Sequence, residues 1–215
     1  SSITMNNCLF YENTSAKGGA TGTWESTLNA FNCTYADNTS TSYGGGHYSD
    51  SPDNFTNTIF YGNDGSSTYD DVYEDSDGEL ILNYSICSGS TSGATENNEI
   101  TGNPYFSDAS NDDYSILPFS SAVDVGTPAG APADDILGTT RANGSSTGSA
   151  DDIGCYENSC TTGTYYVDDD NGGSNSNNGS NGSPFATLKY AVNMIGCSGS
   201  TINVAAGTYT DEDIT

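Results

Sequence analysis

Three copies of one short phrase, each beginning at an asparagine, recur 25 residues apart in this chain. They read NCLFYEN from Asn7, NCTYADN from Asn32 and NTIFYGN from Asn57, and a weaker copy, NYSICSG, begins 26 residues later at Asn83. A fixed period of this length is typical of a solenoid, in which each repeat forms one coil and buries its apolar face against its neighbours. The sequence therefore predicts a stack of coils over residues 1–99.

Aligning the copies places similar residues in columns. The apolar columns alternate with polar residues along each copy, which is the period-2 pattern of a β-strand. Stacked asparagines can hydrogen-bond to the copies above and below, and asparagine tolerates the left-handed backbone that turns require. The columns are Met5, Ala30, Phe55 and Ile81; Cys8, Cys33, Thr58 and Tyr84; Phe10, Tyr35, Phe60 and Ile86; and Asn13, Asn38 and Asn63.

Beyond the coils the pattern changes twice. Over residues 100–160 the repeat degrades into short apolar phrases separated by Pro and Gly, which predicts irregular closing coils. Residues 161–215 indicate a strand, a long polar loop, a helix capped by Ser183 with Pro184 at its first position, and another strand. The predicted fold is all-β: a parallel β-helix with one short capping α-helix near the C-terminus.

The charge is strongly one-sided. The net charge is −26, and Lys17, Arg141 and Lys189 are the only strong cations. Such a surface repels phosphate, so nucleic acid is excluded as a partner, and no apolar run is long enough to span a membrane. A surface this acidic requires counterions, supplied by salt or by divalent cations.

Two acidic clusters offer the oxygen ligands that Ca²⁺ prefers. Neither has the spacing of an EF-hand loop, and a solvated acidic turn is the alternative. Calcium is the one cofactor that the sequence suggests. The candidate ligands are Asp168, Asp169, Asp170 and Asn171 in the polar loop, and Asp70, Asp71, Glu74 and Asp75 in the third coil.

Six cysteines are present, without a Cys-X-X-Cys pair and with His47 as the only histidine, which disfavours zinc. An even number of cysteines is typical of an extracellular protein with disulfides. Cys8 and Cys33 occupy one column a single coil apart, within disulfide reach, although a ladder of free thiols is equally compatible. Cys160 and Cys197 flank the polar loop and could close it. The partners of Cys87 and Cys155 are open.

The glycosylation motif Asn-X-Ser/Thr occurs repeatedly, as some copies must by chance in a chain so rich in these residues. Export by a cell with the glycosylation machinery would make them acceptors. The candidates are Asn13, Asn32, Asn38, Asn54, Asn83, Asn143, Asn178 and Asn181.

No catalytic residue is predicted. A Ser-His-Asp arrangement would have to use His47, which we expect in a solvated turn, and no Gly-X-Ser-X-Gly elbow is present. Tyr11, Trp24, Tyr48 and Tyr61 could form a sugar-binding face or pack against a neighbouring chain.

Most of the chain resembles right-handed parallel β-helix proteins of the pectin-lyase-like superfamily, in particular large prokaryotic extracellular and surface proteins. GNPYFSDASNDDYSILPFSSAVDVG from Gly102 and DDIGCYEN from Asp151 are similar to the closing segment of such proteins. YYVDDDNG from Tyr165, SPFATLKYAV from Ser183 and INVAAGTYT from Ile202 are similar to their opening segment. The pectate lyases of this fold use bound Ca²⁺ and a basic residue, and this chain has no cluster of basic residues, so we expect no enzyme.

The two segments occur in inverted order, because the closing segment precedes the opening one. This order suggests either one period of a long tandem array or a subunit whose opening segment, 161–215, completes the β-helix of the next copy. A fragment or permuted module with frayed ends is the alternative. We therefore expect an acidic extracellular protein that stacks head to tail into a filament or cell-surface stalk. The alternative is a carbohydrate-binding or polysaccharide-degrading domain of a larger adhesin.

Overall fold

The computed structural model describes residues 1–66, 71–75, 79–141, 150–158, 162–170, 172–195 and 199–209. The chain forms two compact units. The solenoid unit comprises Ser1–Ile116 and Ser120–Asn158, and the strand–helix–strand unit comprises Leu117–Phe119 and Ser159–Thr215.

The described strands of the solenoid unit are short, and most belong to parallel sheets. In chain order they are β1 (Ser2–Asn6), β2 (Leu9–Tyr11), β3 (Thr14–Lys17), β4 (Thr21–Thr23), β5 (Thr27–Phe31), β6 (Thr34–Ala36), β7 (Thr39–Tyr43), β8 (His47–Ser49), β9 (Asp53–Thr56), β10 (Ile59–Tyr61), β11 (Val72–Glu74), β12 (Leu80–Asn83), β13 (Ile86–Cys87), β14 (Thr91–Ser92), β15 (Thr95–Asn97), β16 (Phe106–Asp108) and β17 (Asp113–Ile116).

Three parallel sheets form the walls of a β-solenoid of about three turns, and a shorter fourth turn follows them. Their strand orders are β1-β5-β9-β12-β15, β2-β6-β10-β13 and β4-β8-β11-β14, so each coil adds one strand to each wall. Thr4, Asn29, Asn54, Ile81 and Thr95 are successive partners in the first sheet, and the coils therefore advance by 25, 25, 27 and 14 residues. The predicted all-β parallel solenoid is confirmed.

A left-handed residue makes the bend between the first and second sheets. Asn7, Asn32 and Asn57 have φ angles of 50°, 49° and 52° at this bend. Asparagine adopts this conformation more readily than most residues, which explains why each copy of the repeated phrase begins with it. In the fourth coil Tyr84 takes the same position, with a φ angle of 47°.

The interior of the solenoid is filled by side chains that alternate along each strand. Phe10, Tyr35 and Phe60 stack face to face, with ring centroids 4.8 and 4.7 Å apart. Phe55 packs edge-on against Phe60 at 5.2 Å. Buried Leu28 completes this apolar cluster with other inward residues of the same walls. Each coil thus buries its inward apolar side chains against one another and against the coils above and below.

The fourth coil corrects the predicted columns by one residue. Phe55 pairs with Leu82 and not with Ile81, and Phe60 pairs with Cys87, whereas Ile86 pairs with Ile59. The third coil is 27 residues long and not 26, and a one-residue shift in a strand moves every side chain to the opposite face.

The same shift affects the cysteine column, where Ser85 and not Tyr84 lies opposite Thr58. The Thr58 amide donates to the Ser85 hydroxyl at 3.2 Å, and the Ile86 amide donates to the Thr58 carbonyl at 3.0 Å.

The residues predicted as closing coils pack on the outside of the second sheet. Ile59 and Ile86 point outward from this sheet and are buried against Ile116, Ala122 and Ile153. In this region β16 and β17 form an antiparallel pair, and a short 3-10 helix at Ala109–Asn111 connects them. The second sheet is therefore covered on both faces, which explains why β10 reads as a continuous apolar run.

The strand–helix–strand unit contains β18 (Thr164–Val167), α1 (Leu188–Met194) and β19 (Thr201–Val204). β18 and β19 pair in parallel. The helix is the only α-helix among the described residues, and a short helix near the C-terminus was predicted. Its cap corrects the prediction: Thr187, and not Ser183, accepts the hydrogen bond from the Tyr190 amide. Asn175 of the polar loop accepts from the Thr187 amide at 3.2 Å, which fixes the start of the helix.

Candidate functional site

The first coil leaves one edge of the solenoid unit open. β1 is the end strand of its sheet and has only β5 as a partner among the strands that the structure describes. Ile3 is 46% exposed, whereas its partner Leu28, in the same inward column, is 1% exposed. Met5 and Phe10 are likewise only half-buried. We call β1 and these inward side chains the first-coil edge.

A complementary edge lies in the strand–helix–strand unit. β19 is the last strand of a two-stranded sheet and, within the described ranges, pairs only with β18. In its pairing with β18, Ile202 lies opposite Tyr165 and Val204 lies opposite Val167. Val167 is buried, but Val204 is 45% exposed. We call this strand, with its apolar residues Ile202 and Val204, the β19 edge.

Both edges are uncharged in a highly acidic chain. Residues 1–11 contain no Asp, Glu, Lys or Arg side chain, and neither do residues 190–210. With 29 acidic residues in a chain of 215, two such stretches at the two edges remove the local repulsion that the net charge of −26 would otherwise impose. Sequence reasoning placed Ile202 and Val204 in a strand of the opening segment but did not single out Ile3, although the alternating phrase SITM carries the signal.

A small pocket adjoins the β19 edge. It has a volume of about 170 Å³ and its lining includes Asp168, Asn203 and Val204. Pockets for drug-sized ligands usually enclose about 300–1,000 Å³. The pocket is therefore smaller than a usual small-molecule site.

His47 corrects the prediction of a solvated turn. It is fully buried in β8, its Nδ1 lies 2.8 Å from the Thr21 hydroxyl, and its Nε2 lies 3.0 Å from the Asp53 carboxylate. Burial opposes ionisation of Asp53, but hydrogen bonds from His47 and Thr23 outweigh it and lower the pKa of the carboxyl group. Because His47 and Asp53 are both enclosed, this Thr-His-Asp chain satisfies polar groups inside the coil and offers a substrate no access. Nothing in the sequence pattern pointed to Asp53 as the partner.

The third-coil acidic cluster does not converge on one point in the described residues. Asp71 is buried, where its carboxylate accepts from the Asn63 side chain at 2.8 Å, and burial raises its pKa. Asp75 instead accepts from the Tyr48 hydroxyl at 2.6 Å. Glu74 is half-buried, and Asp70 lies outside the described residues.

In the polar loop the Asp170 amide donates to the Asp168 side chain at 3.2 Å, and Asp169 lies beside Gly207. Asn171 lies outside the described residues. Among the residues that the structure places, no group of three or more His, Cys, Asp or Glu side chains is arranged to hold a metal ion. A calcium site stays a prediction.

The predicted aromatic face is divided among different environments. Tyr48 is buried between Trp24 and Tyr73, with ring centroids 5.5 and 5.8 Å away. Tyr61 is half-buried and packs edge-on against Phe106. Of the four predicted residues, only Trp24 and Tyr11 are exposed, at 53% and 37%. Tyr11 lies in β2 of the second sheet, whereas Trp24 follows β4 of the third sheet.

The asparagine column forms a continuous hydrogen-bonded ladder. The side-chain amide of Asn13 donates to Asn38 at 2.9 Å, and that of Asn38 donates to Asn63 at 2.9 Å. Asn38 also donates to the Phe10 carbonyl at 3.0 Å, and Asn63 to the Tyr35 carbonyl at 3.0 Å. The ladder ties three coils together at one turn.

Burial removes two of the predicted glycosylation acceptors. Asn32 and Asn38 are fully buried, and their side-chain amides donate to Asp152 and Phe10 carbonyls, which leaves no room for a glycan. Asn13, Asn178 and Asn181 are exposed, Asn54 and Asn83 are half-buried, and Asn143 lies outside the described residues.

The four described cysteines, Cys8, Cys33, Cys87 and Cys155, are free thiols in the structure. Cys33 and Cys155 are buried, and Cys8 and Cys87 are half-buried. Cys160 and Cys197 lie outside the described residues, and so does the loop closure predicted for them.

Comparison with protein-family models, with curated proteins and with solved structures finds no match to this chain. Of the helices that the structure describes, none is long and apolar enough to cross a membrane. The site must therefore be interpreted from its own geometry.

Proposed function

We propose that this protein is a structural subunit whose β-solenoids stack head to tail into an extracellular filament or cell-surface stalk. The observation that carries the proposal is the pair of incomplete, apolar and uncharged strand edges, β1 and β19. An exposed strand edge is a template for pairing with another chain, and contacts between two different surfaces propagate unless they close into a ring.

In the proposed junction β19 of one copy pairs in parallel with β1 of the next. The sheet would then continue in the order β18-β19-β1-β5, with the chain direction preserved from one coil to the next. Apolar residues alternate at the same spacing in both strands, so Ile202 would stack on Ile3 and Val204 on Met5. This stacking would bury the two side chains that are now 46% and 45% exposed.

The resemblance to prokaryotic surface proteins of the pectin-lyase-like superfamily supports the same function. It implies a right-handed coil and an extracellular location, and it explains the order of the segments, since the opening segment of one copy would precede the coils of the next. The even number of cysteines and the exposed glycosylation motifs fit the same location.

Two variants that each block one edge test the junction. Ile3→Lys places a charge on the first-coil edge, and Val204→Asp places one on the β19 edge. Electron microscopy and sedimentation should show filaments of the wild type and monomers of either variant. Leu137→Asp is the matched control, because Leu137 is 76% exposed but lies outside both edges, and it should still form filaments.

Mixing the two variants makes the test specific. The Ile3→Lys copy keeps its β19 edge and the Val204→Asp copy keeps its first-coil edge, so together they should form heterodimers and nothing longer. A wild type that stays monomeric at all concentrations would overturn the proposal. Filaments that persist in both single variants would place the junction elsewhere.

The alternative is a carbohydrate-binding or polysaccharide-degrading domain of a larger adhesin. Its support is the exposed Trp24, whose ring covers Gly22 and extends the Tyr48–Tyr73 stack. Stacking of a sugar on this indole predicts glycan binding that Trp24→Ala abolishes while assembly is retained. The dispersal of the other aromatic candidates makes this the weaker hypothesis.

A further inference from the structure

One column of small side chains follows the bend between the first and second sheets. Each member donates a hydrogen bond to the carbonyl oxygen two residues before it. The bonds run from Cys8 to Asn6 at 3.4 Å, from Cys33 to Phe31 at 3.4 Å, from Thr58 to Thr56 at 3.2 Å and from Ser85 to Asn83 at 3.0 Å. Since hydroxyls serve this purpose in the third and fourth coils, the fold does not require thiols in the first two.

Cys8 and Cys33 lie directly opposite each other on successive coils. The pairs on either side, Asn6 with Phe31 and Leu9 with Thr34, have the same offset of 25 residues, and the Thr34 amide donates to the Cys8 carbonyl at 2.9 Å. Neighbouring strands lie about 4.8 Å apart, and a disulfide spans Cα atoms about 4.4–6.8 Å apart. The expected Cα separation of the two cysteines therefore lies within the range of a disulfide.

The two thiols differ in reactivity. Interaction with the Cys33 thiol lowers the pKa of Cys8, and the same interaction raises the pKa of Cys33. Cys8 is half-buried in the incomplete first coil, whereas Cys33 is fully buried. Burial raises the pKa of Cys87, and that of Cys155 to about 12. Because the thiolate is the nucleophile, Cys8 is the reactive thiol of the four.

We propose that Cys8 and Cys33 form a disulfide between the first and second coils by exchange with a low-molecular-weight disulfide. The Cys8 thiolate attacks one sulfur of that disulfide, forms a mixed disulfide and releases one thiolate. The Cys33 thiol gives its proton to the released thiolate and attacks the Cys8 sulfur, which releases the second thiolate. The protein pair is oxidised by two electrons, and the small disulfide is reduced to two thiols. The bond fixes the exposed first coil to the body of the solenoid.

The position of Lys17 gives a direct readout. Trypsin cuts after Lys and Arg, and Lys17 and Arg141 are the first two such residues, so digestion separates residues 1–17, which contain Cys8, from residues 18–141, which contain Cys33. After incubation with oxidised glutathione and acid quenching, mass spectrometry of the digest should show these fragments linked, with two hydrogens fewer, and reduction should release them.

Serine variants assign the roles. Cys33→Ser should retain a stable mixed disulfide of Cys8 with glutathione, and Cys8→Ser should react at least about tenfold more slowly because the buried Cys33 thiol remains protonated. Cys87→Ser is the matched control and should leave the linkage unchanged. Cys8→Ser and Cys33→Ser are expected to fold, since Thr58 and Ser85 already hold a hydroxyl in this column, and circular dichroism checks the fold of all three variants.

A Cys8–glutathione adduct that persists in the wild type, without linked fragments, would overturn the inference. So would linkage through Cys87, which the Cys33→Ser variant would reveal. The reaction is followed on dilute protein that does not assemble, and its result is therefore independent of the proposed filament.

Discussion

At the scale of single residues, side chains repeated from coil to coil stabilise this solenoid. The asparagine ladder satisfies the carbonyl groups of Phe10 and Tyr35 as well as its own amides. A buried polar group that loses its partner costs more than a hydrogen bond contributes, so the ladder matters most where it is enclosed.

Replacing the central asparagine tests this difference. Asn38→Ala should lower the free energy of unfolding by about 2–3 kcal/mol, because the buried Asn63 side-chain oxygen loses one of its two donors and the Phe10 carbonyl loses the Asn38 side-chain amide. Asn13→Ala should cost less than about 1 kcal/mol, because Asn13 is exposed to water. Urea unfolding measures both values. Equal losses would show that the ladder does not act through burial.

A buried carboxyl group should make stability depend on pH. Asp152 accepts from the Asp124 amide at 2.7 Å, and burial, followed by the charge of Glu157, raises its pKa to about 7. The folded protein therefore keeps a proton that the unfolded chain, with a pKa near 4, releases. Its stabilising effect is complete below about pH 4 and is lost as the pH rises through 7, by up to about 1.4 kcal/mol per pH unit.

Urea unfolding between pH 4.5 and pH 7.5, about the window these pKa values define, measures this slope. Asp152→Asn should flatten it, whereas Asp112→Asn, at an exposed position, should leave it unchanged. An Asp152→Asn variant with the wild-type slope would show that another group binds the proton.

At the scale of secondary-structure elements, the limits of sequence interpretation become visible. Ser183 and Pro184 have the residue types expected at a helix start, yet α1 begins at Leu188. Hydrogen bonds from the Ala186 and Thr187 amides to Asn175 hold the chain extended past Pro184, and the loop that supplies Asn175 has no pattern from which to predict this.

The cap itself can be tested. Thr187→Ala should destabilise the strand–helix–strand unit by about 1 kcal/mol, because the Tyr190 amide loses its acceptor. Ser183→Ala should change its stability by less than about 0.5 kcal/mol, because Thr187 and not Ser183 caps the helix. Thermal unfolding together with amide exchange at Tyr190 measures both. A larger loss from Ser183→Ala would restore the cap predicted from sequence.

At the scale of the whole molecule, charge sets the conditions for assembly. The net charge of −26 repels approaching copies, although residues 1–11 and 190–210 are themselves uncharged. Screening lengths fall from about 30 Å at 0.01 M salt to about 8 Å at 0.15 M salt. Filaments should therefore form more readily as NaCl is raised, as measured by sedimentation, and should persist with a chelator present.

A requirement for calcium at every NaCl concentration would contradict simple screening. It would indicate a bound cation, and Asp168→Asn with Asp169→Asn would then be expected to abolish assembly. Equal sedimentation at low and high salt would show that the uncharged edges alone control association.

The sequence by itself determined the solenoid, its period and the identity of its first three coils. Residues 25 apart are stacked neighbours, so the contacts that define the fold recur at a fixed spacing, and that spacing is seen directly in the sequence. It also determined the order of the strands and the helix in residues 161–215. The sequence did not predict the length of the third coil, because the fourth copy of the phrase is degenerate. A shift of one residue is enough to move every side chain of a strand to the opposite face.

Only the tertiary structure decided which polar residues are enclosed. His47 meets Asp53 inside a coil, and Asn32 is buried because its amide meets the carbonyl of Asp152, 120 residues further along. The outward residues Ile59 and Ile86 are covered only because the later segment folds back on the second sheet. The contacts of Asn32, Ile59 and Ile86 join the repeats to a later segment that shares no repeat with them, and no local pattern specifies them.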